Sequence, residues 1–260
     1  MKLSTDAFFH KAERPRGAVL LLHGMTANPS ELRHLGDYLF ENGFSVHCPC
    51  LSGHCQSIEE LSQISSSVWI EDAVRGAENV IEECTNIPFF VIGLSFGSLL
   101  ASIAAARASV KPSGLVLMSA PMKFNSRKRS FFLPLLSRFP DWFLNLLWCE
   151  EKQERDKSSF KLPRHAYDHH SVGAAARLVQ VRRIARVYLR TMELPLLAMQ
   201  DPEDHHLNPK AVEEVVRVYR GNDVQFELFP GGEHELTLGP LYEDVEQRVL
   251  VFLNKRLGKN

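Results

Sequence analysis

The sequence predicts an α/β domain in which helices cover both faces of a mostly parallel sheet. Short apolar runs, each about the length of a strand, alternate along the chain with segments of helical periodicity. The runs are almost continuously apolar, which is typical of parallel strands buried on both faces. The 260 residues show no repeat and no low-complexity linker, so we expect one domain over 1–260 with a single insertion at 122–171.

The first half of the chain contains four predicted strands, which are AVLLLH (18–23), FSVHC (44–48), FFVIG (89–93) and GLVLMSAP (114–121). A helix is expected to begin at Asn28, because Pro29 and Glu31 fill the first and third positions after that cap. Gly43 should end this helix. A second helix follows Ser67, where apolar residues recur at helical spacing, and an alanine-rich third helix follows the strand at 89–93.

The alternation pauses after Pro121 and resumes at about Ser171. The second half is then predicted to contain a helix around 178–188, a strand PLLAMQ (195–200), a helix begun by Asn208 and Pro209, a strand VQFELF (224–229) and a C-terminal helix from Leu241 to Phe252. Strands that alternate with helices in this way predict parallel pairing.

Composition and charge argue against several classes of function. Lys and Arg number 30 and Asp and Glu number 31, and this net charge of -1 provides no basic surface for nucleic acid. No segment reaches about 18 uncharged apolar residues, so we expect no stable membrane insertion. The five cysteines are an odd number in a chain that shows no secretion signal. They predict reduced thiols and a cytoplasmic location.

One cluster of possible metal ligands lies in a short segment, formed by His47, Cys48, Cys50, His54 and Cys55. No second Cys or His pair completes a zinc pattern. Cys48 and Cys50 follow an apolar strand, where a free cysteine behaves as a small hydrophobic residue. We therefore expect no metal ion.

The segment Gly93-Leu94-Ser95-Phe96-Gly97 lies at the end of a predicted strand and opens a helix. A serine in this context is typical of a nucleophile elbow, a strained turn in which side chains two residues either side would clash. The alternative is a helix cap flanked by glycines. Because the strand and the helix are both predicted, we favour Ser95 as the nucleophile.

A serine nucleophile needs a base and an acid that orients the base. His234 follows the last predicted strand in a glycine-rich turn, where this fold carries its base. Asp201 and Asp204 both follow the strand at 195–200. We expect Asp204 to be the acid, because it lies deeper in the loop, just before the helix start at Asn208. His205 and His206 are expected to face solvent.

An oxyanion hole needs two backbone N–H groups directed at one oxygen atom. The residue after the nucleophile, Phe96, should provide one. The loop after the strand at 18–23 should provide the other, and Met25 follows His23 and Gly24 at the required place. A His-Gly pair after a strand, some distance before an elbow, is typical of this arrangement.

The segments LLLHGMTANPSELRHLGDYL, GLSFGS, QDPEDHHLNP and GGEHELTL together resemble the α/β-hydrolase superfamily, and most of all its small bacterial carboxylesterases and monoacylglycerol lipases. The resemblance covers about 8–256 outside the insertion. It implies Ser95, Asp204 and His234 as a catalytic triad, Met25 and Phe96 as oxyanion donors, and no cofactor. The chain departs from the family pattern at Met25, Cys55 and Ser98, where relatives often carry Phe, Gly and Gly.

In this superfamily the insertion at 122–171 corresponds to a small helical cap after the sixth strand. Its segment FFLPLLSRFPDWFLNLLW (131–148) is dense in apolar residues. We expect Phe131, Leu135, Trp142 and Phe143 to contact the acyl group of a substrate. The alternative is a pair of helices packed onto the body. Arg182, Arg186 and Arg190 share one helix face, which is expected to be solvated.

The resemblance implies a hydrolase of carboxylic esters with short to medium acyl chains, or of monoacylglycerols. Thioester hydrolysis, cleavage of a carbon–carbon bond and acyl transfer remain alternatives on the same scaffold. A receptor that binds a small molecule without turnover is an alternative from another class. The sequence does not determine the physiological substrate or the oligomeric state.

Overall fold

The computed structural model describes residues 6–147, 149–151, 160–163 and 165–257. Within this part of the chain the strands, in order, are β1 (Phe8–His10), β2 (Gly17–Leu22), β3 (Phe44–Cys48), β4 (Phe89–Leu94), β5 (Gly114–Met118), β6 (Cys149–Glu151), β7 (His169–Ser171), β8 (Leu196–Gln200) and β9 (Val224–Leu228). Seven of them form one sheet in the order β1-β3-β2-β4-β5-β8-β9. All neighbours in this sheet are parallel except β1 and β3, which confirms the predicted fold class.

The helices cover both faces of the sheet. They are α1 (Arg33–Glu41), α2 (Ile58–Gln63), α3 (Ser66–Glu83), α4 (Phe96–Arg107), α5 (Arg127–Leu136), α6 (Asp141–Leu144), α7 (Val172–Leu189), α8 (Ala211–Val218) and α9 (Tyr242–Asn254). A short 3-10 helix, Pro29–Leu32, precedes α1, and Asn28 caps it by accepting a hydrogen bond from Ser30 N at 3.0 Å. None of these helices is both long and apolar enough to span a bilayer.

Burial on both faces explains why the strands are continuously apolar. In β2, Leu20 and Leu22 belong to the core beneath α3, α4 and α7, whereas Val19 and Leu21 belong to the core beneath α1 and α9. Successive side chains of a strand point to opposite faces, so every residue of a central strand is buried. The carboxyl ends of the parallel strands meet at one edge of the sheet, where the loops with polar residues lie.

The segment between β5 and α7 contains more than helices. Its described residues form α5 and α6 and the strands β6 and β7, which pair with each other in antiparallel fashion. The cap is expected after the sixth strand of the family's sheet. Within the described chain this segment follows the fifth strand, β5, because the short β1 is the only strand that precedes β2. Trp148 and the residues 152–159 and 164, which the expected cap includes, lie outside the described residues.

The cysteines differ from the expectation of five reduced thiols. Cys50 and Cys55 form a disulfide, whereas Cys48, Cys84 and Cys149 are free. The loop after β3 turns at Gly53, whose φ is +79°, and brings the two Cα atoms to 6.3 Å, a separation that suits a disulfide. The described residues contain no group of three or more His, Cys, Asp or Glu side chains arranged around a metal ion. The cytoplasmic location stays a prediction.

The arginines on α7 do not all face solvent. Arg182 is half-buried, lies over the ring of Phe124 and donates a hydrogen bond to Pro121 O at 3.3 Å. Burial lowers the pKa of Arg182 to about 10, and Arg186 and Arg183 add to this effect. Arg186 forms an ion pair with Glu214. The prediction of a solvated face is therefore wrong for Arg182, because the segment after β5 covers it.

Arg177, also on α7, is completely buried and joins the segment after β5 to the body of the domain. Its guanidinium donates to Asp141 Oδ1 at 2.9 Å and to Ser62 O at 2.7 Å, and it also contacts Asn145 Oδ1. Gly173 lies one turn earlier, where an added Cβ would be 2.3 Å from Leu144 O. The hydrogen bonds and the close backbone contact therefore fix α6 against α7.

We expect Arg177→Met to lower the free energy of unfolding by about 2–4 kcal/mol, because it leaves Ser62 O without a donor and removes the ion pair with Asp141. Urea denaturation followed by circular dichroism measures the change. Arg190→Met is the control, since Arg190 is exposed on the same helix. Equal stability of the two variants would contradict the role given to Arg177.

Candidate active site

Ser95 lies in a tight turn that brings the start of a helix very close to the neighbouring strands. It separates β4 from α4 and has a φ of +53°, in the left-handed region that L-residues seldom adopt. A Cβ on Gly97 would lie 1.9 Å from Leu22 O, and one on Gly93 would lie 2.2 Å from Gly97 O. Both glycines are therefore required for α4 to begin directly after the serine.

Ser98 occupies the position at which relatives often have a second glycine. Its hydroxyl is buried in the first turn of α4, and Oγ lies 2.7 Å from both Gly93 O and Met118 O. The single hydroxyl proton is thus shared between two carbonyl acceptors, one on β4 and one on β5. This departure from the family pattern adds a bond between the turn and the neighbouring strand.

The side chains of Ser95, His234 and Asp204 form one hydrogen-bonded chain. Ser95 Oγ lies 2.9 Å from His234 Nε2, and His234 Nδ1 lies 2.6 Å from Asp204 Oδ2. The second carboxyl oxygen of Asp204 accepts hydrogen bonds from the backbone N–H groups of His206 and Leu207, at 2.6 and 3.1 Å. A carboxylate so placed keeps the proton on Nδ1, which leaves Nε2 free to accept the serine proton.

The charges of the pair stabilise each other. Burial disfavours the charged form of Asp204, but His234 and the two backbone donors outweigh it and lower the pKa of Asp204 to about 2. Burial also opposes protonation of His234, yet Asp204, with smaller contributions from Glu235 and Glu31, raises the pKa of His234 above its usual value. The site therefore stabilises an imidazolium next to Ser95, which is the species that forms when His234 accepts a proton.

Asp201 has a different set of partners from Asp204. Its carboxyl oxygens accept hydrogen bonds from Glu203 N at 2.8 Å, Glu233 N at 2.9 Å and Gly231 N at 3.3 Å. Asp201 therefore ties the loop after β8 to the loop that carries His234. In the described part of the chain the hydrogen bonds of Asp201 run to backbone N–H groups, whereas Asp204 is bonded to the imidazole, so the geometry favours Asp204 as its partner.

Two further hydroxyls hold the loop of His234 in place. Ser119, at the end of β5, donates to His234 O at 2.7 Å, and Thr237 donates to Glu31 O at 2.8 Å. Ser119 has a φ of +47°, so its backbone too is in the left-handed region. Both hydroxyls are buried. The position of the imidazole is thus set by side chains from elements distant in sequence.

Met25 lines the same cavity as Ser95, and Phe96 directly follows Ser95 in the chain. Met25 is half-buried in the loop after β2, while Phe96 is fully buried as the first residue of α4. The Phe96 ring packs edge-on against Trp69 at 5.2 Å and lies parallel to the His54 ring at 6.4 Å between centroids. Their roles as oxyanion donors stay predictions.

His23 orders the backbone of the loop that contains Met25. Its Nδ1 donates to Gly24 O at 3.0 Å, and its Nε2 accepts from Leu51 N at 3.2 Å. Burial, together with the nearby His54, lowers the pKa of His23 to about 3, and burial lowers the pKa of His54 to about 4. Both rings are therefore neutral at neutral pH, as their role in a buried hydrogen-bond network requires.

A cavity of about 600 Å³ opens next to Ser95. Its apolar wall is formed by side chains of α5, α7 and the loops around them, including Phe124, Phe132, Leu133, Leu135, Leu136, Ala174, Ala175, Leu178 and Leu207. Ionisable residues also line it, namely Glu31, Lys128, Arg129, Glu150, His170, His206 and Glu235. The size is in the range of ordinary small-molecule sites.

Of the four residues expected to contact an acyl group, Leu135 lines this cavity. Phe131, Trp142 and Phe143 are not among its lining residues in the described chain. The side chains of Phe131 and Trp142 are 69% and 67% exposed, whereas Phe143 stacks on Phe139. Adjacent helical residues point about 100° apart, so Phe132, itself 54% exposed, lines the cavity in place of the expected Phe131.

Sequence reasoning missed some residues near the site. His206 was expected to face solvent, but its ring packs edge-on against His234 at 4.9 Å and lines the cavity, while His205 is exposed. Glu31 was taken only as a helix-capping residue, yet it is buried beside the loop of Met25. A glutamate seven residues after the glycine of a His-Gly pair was the available signal.

Comparisons with known proteins agree with the fold. Residues 13–240 match the family model described as serine aminopeptidase, S33. A carboxylesterase of Bacillus subtilis (strain 168) is 27% identical over 239 residues, which are 92% of each chain. A solved structure from work on LipS and LipT, two metagenome-derived lipolytic enzymes, superposes with a TM-score of 0.84 at 24% identity and covers 96% of this chain and 98% of that one. The monoacylglycerol lipase of Paleococcus ferrophilus superposes with a TM-score of 0.75 at 20% identity, covering 96% and 99%.

The Asp204–His234 pair can be tested by titration. We expect Asp204→Asn to lower the pKa of His234, because the raising effect of the carboxylate is lost while burial, which lowers the pKa, remains. NMR titration of the imidazole in wild type and variant measures the change. Asp201→Asn is the control and should leave the pKa of His234 close to that of wild type. The opposite ranking would show that Asp201 is the partner.

Proposed function

The chain belongs to the serine aminopeptidase, S33, family and has the α/β-hydrolase fold, and from its site we propose that it is a serine hydrolase that cleaves carboxylic esters. The single observation that carries this proposal is the hydrogen-bonded chain from Ser95 through His234 to Asp204 at the mouth of an apolar cavity. The carboxylesterase and lipolytic relatives support esters as the substrate class.

In the first half-reaction Ser95 Oγ attacks the ester carbonyl carbon while His234 Nε2 takes the hydroxyl proton. The carbonyl oxygen becomes an oxyanion, which the backbone N–H groups of Met25 and Phe96 stabilise. Asp204 stabilises the imidazolium. When the tetrahedral intermediate collapses, His234 returns the proton to the alcohol oxygen, the alcohol leaves, and the acyl group remains on Ser95.

In the second half-reaction water attacks the acyl-enzyme. His234 takes a proton from the water, a second oxyanion forms in the same place, and collapse releases the acid and restores Ser95. In each half-reaction His234 takes a proton from one oxygen atom and gives it to another, first from Ser95 to the alcohol and then from water to Ser95. The atoms and charges therefore balance without a cofactor. The first turn of α4 adds a favourable dipole behind the reacting oxygen atoms.

The walls of the cavity favour esters with an alkyl chain. Side chains from α5 and α7 make most of its surface apolar. Each CH₂ group of an acyl chain that is buried there contributes about 0.8 kcal/mol, roughly fourfold in affinity. Because the cavity is about 600 Å³ and must also hold the alcohol part, we propose short to medium acyl chains. We propose that the described residues of the segment 122–171 form a cap over this cavity, which several of them line.

A fluorophosphonate probe tests the nucleophile. We expect it to label one peptide, which contains Ser95, because the hydroxyl oxygen of Ser95 is hydrogen-bonded to the imidazole of His234. Ser95→Ala should lose both labelling and turnover of aryl esters. Ser98→Ala is the control, since Ser98 is buried and bonds to backbone carbonyls. It should keep labelling at Ser95. Turnover by a folded Ser95→Ala variant would overturn the proposal.

The cap can be tested by the dependence of kcat/KM on acyl length. We expect Phe132→Ala with Leu135→Ala to flatten the increase from acetate to hexanoate esters, because both side chains line the cavity. Phe131→Ala with Trp142→Ala removes similar apolar area from exposed positions and should leave the profile unchanged.

Thermal melting of both double variants establishes that each is folded at the assay temperature. A flattened profile in the Phe131 and Trp142 variant alone would show that the acyl chain binds outside this cavity. A panel that includes matched thioesters distinguishes ester from thioester hydrolysis, and a protein that binds these compounds without turnover would be a receptor.

A further inference from the structure

We infer that Glu31 is a positioning residue for the oxyanion hole, and that it fixes the loop of Met25 relative to the loop of His234. This inference rests on the proposed function, in which the Met25 N–H is an oxyanion donor. Glu31 lies in the 3-10 helix that precedes α1, at the border of the cavity, and only 4% of its surface is exposed.

The first observation concerns the backbone on both sides of the Gly24 Cα atom. Gly24 N donates to Glu31 Oε2 at 2.7 Å, and Gly24 O accepts from His23 Nδ1 at 3.0 Å. The first bond holds the peptide between His23 and Gly24, and the second holds the peptide between Gly24 and Met25. The φ and ψ angles of Gly24, which glycine otherwise leaves unrestrained, are therefore set by two buried side chains.

The second peptide contains the proposed oxyanion donor. A trans peptide is planar, so its C=O and N–H bonds point in opposite directions. Fixing Gly24 O on the buried side thus directs the Met25 N–H away from the core. An oxyanion hole is effective only when its donors are aligned before the charge develops. Glu31 contributes this alignment at the preceding peptide, without contacting the substrate carbonyl.

The packing around Gly24 shows how closely the two residues fit. A Cβ on Gly24 would lie 3.0 Å from Glu31 Oε2 and 3.4 Å from Oε1, because the carboxyl group occupies the space beside the Cα atom. The glycine after His23 is therefore matched to the carboxyl group of Glu31. A shorter side chain would leave the glycine with both an unpaired N–H and room to rotate.

The backbone of Glu31 makes the second connection. Glu31 O accepts from Thr237 Oγ1 at 2.8 Å, and Thr237 is three residues beyond His234. Asn28 restrains the same short helix by accepting from Ser30 N and from Ser30 Oγ, at 3.0 and 2.6 Å. One capped helical turn thus holds the oxyanion loop through a side chain and the histidine loop through a carbonyl group.

The test compares Glu31→Ala, Glu31→Gln and Glu31→Asp by steady-state kinetics on a soluble aryl ester. Gln keeps an oxygen acceptor at the same distance, whereas Asp keeps the charge but is one methylene too short to reach Gly24 N. We expect Glu31→Ala to lower kcat about 10- to 100-fold, less than the 10²–10³ typical of losing a donor, because His23 remains. KM should change little, and Glu31→Gln should recover most of kcat.

A trifluoromethyl ketone gives a readout that a general loss of stability would not move. Ser95 Oγ adds to the ketone carbon, and the oxygen of the resulting tetrahedral adduct occupies the oxyanion hole. The Ki of this inhibitor should therefore rise in Glu31→Ala by the same factor as kcat/KM falls. The control is Glu246→Gln, because Glu246 is also buried but belongs to α9, bonds to His34 Nδ1 and is not among the described residues that line the cavity. This variant should keep the wild-type kcat and Ki.

The outcomes separate the two proposals. A wild-type protein without ester turnover or labelling of Ser95 would overturn the proposed function. Wild-type turnover together with an unchanged kcat in folded Glu31→Ala would overturn the role of Glu31 alone. If Glu31→Ala does not fold, the other two variants decide. Higher kcat in Glu31→Gln than in Glu31→Asp supports positioning through the hydrogen bond, and the reverse order overturns it.

Discussion

The close approach of α4 to the ends of β2 and β4 is the constraint on which the rest of the site depends. The helix can begin directly after Ser95 only because Gly93 and Gly97 have no Cβ atoms to collide with neighbouring carbonyl groups. The positive φ of Ser95 is sustained by this packing, since isolated residues avoid that conformation. The same geometry places the N–H of Phe96 at the free first turn of the helix.

Around this rigid centre the loops are held mainly by polar side chains. The loop of His234 is hydrogen-bonded to three other parts of the chain through Ser119, Asp201 and Thr237. The loop of Met25 is bonded through Gly24 N to Glu31. Loops have few apolar contacts, so buried hydrogen bonds must determine their conformation. The polar groups beneath the site thus align its loops. The hydrogen bonds among Ser95, His234 and Asp204 do not do this by themselves.

The main strands and helices were predictable because each is determined by its own residues. The continuous apolar runs of β2, β4 and β5 reflect burial on both faces, and β3 begins and ends at the predicted residues Phe44 and Cys48. The three-residue strands β1, β6 and β7 were not predicted, because segments this short form only by pairing with a partner strand. The six-residue α2 was also missed, although Ser57 and Glu60 form a capping box there.

By itself the sequence determined the order of strands and helices, the turn at Ser95 and the loops in which its partners must lie, because apolar periodicity and glycine placement act within a few residues. Only the tertiary structure brought Asp204 to within 2.6 Å of the imidazole of His234, placed Phe132 and not Phe131 along the cavity wall, and joined Cys50 to Cys55. The direction of a loop or cap side chain depends on contacts with residues far along the chain, and those contacts exist only once the chain has folded.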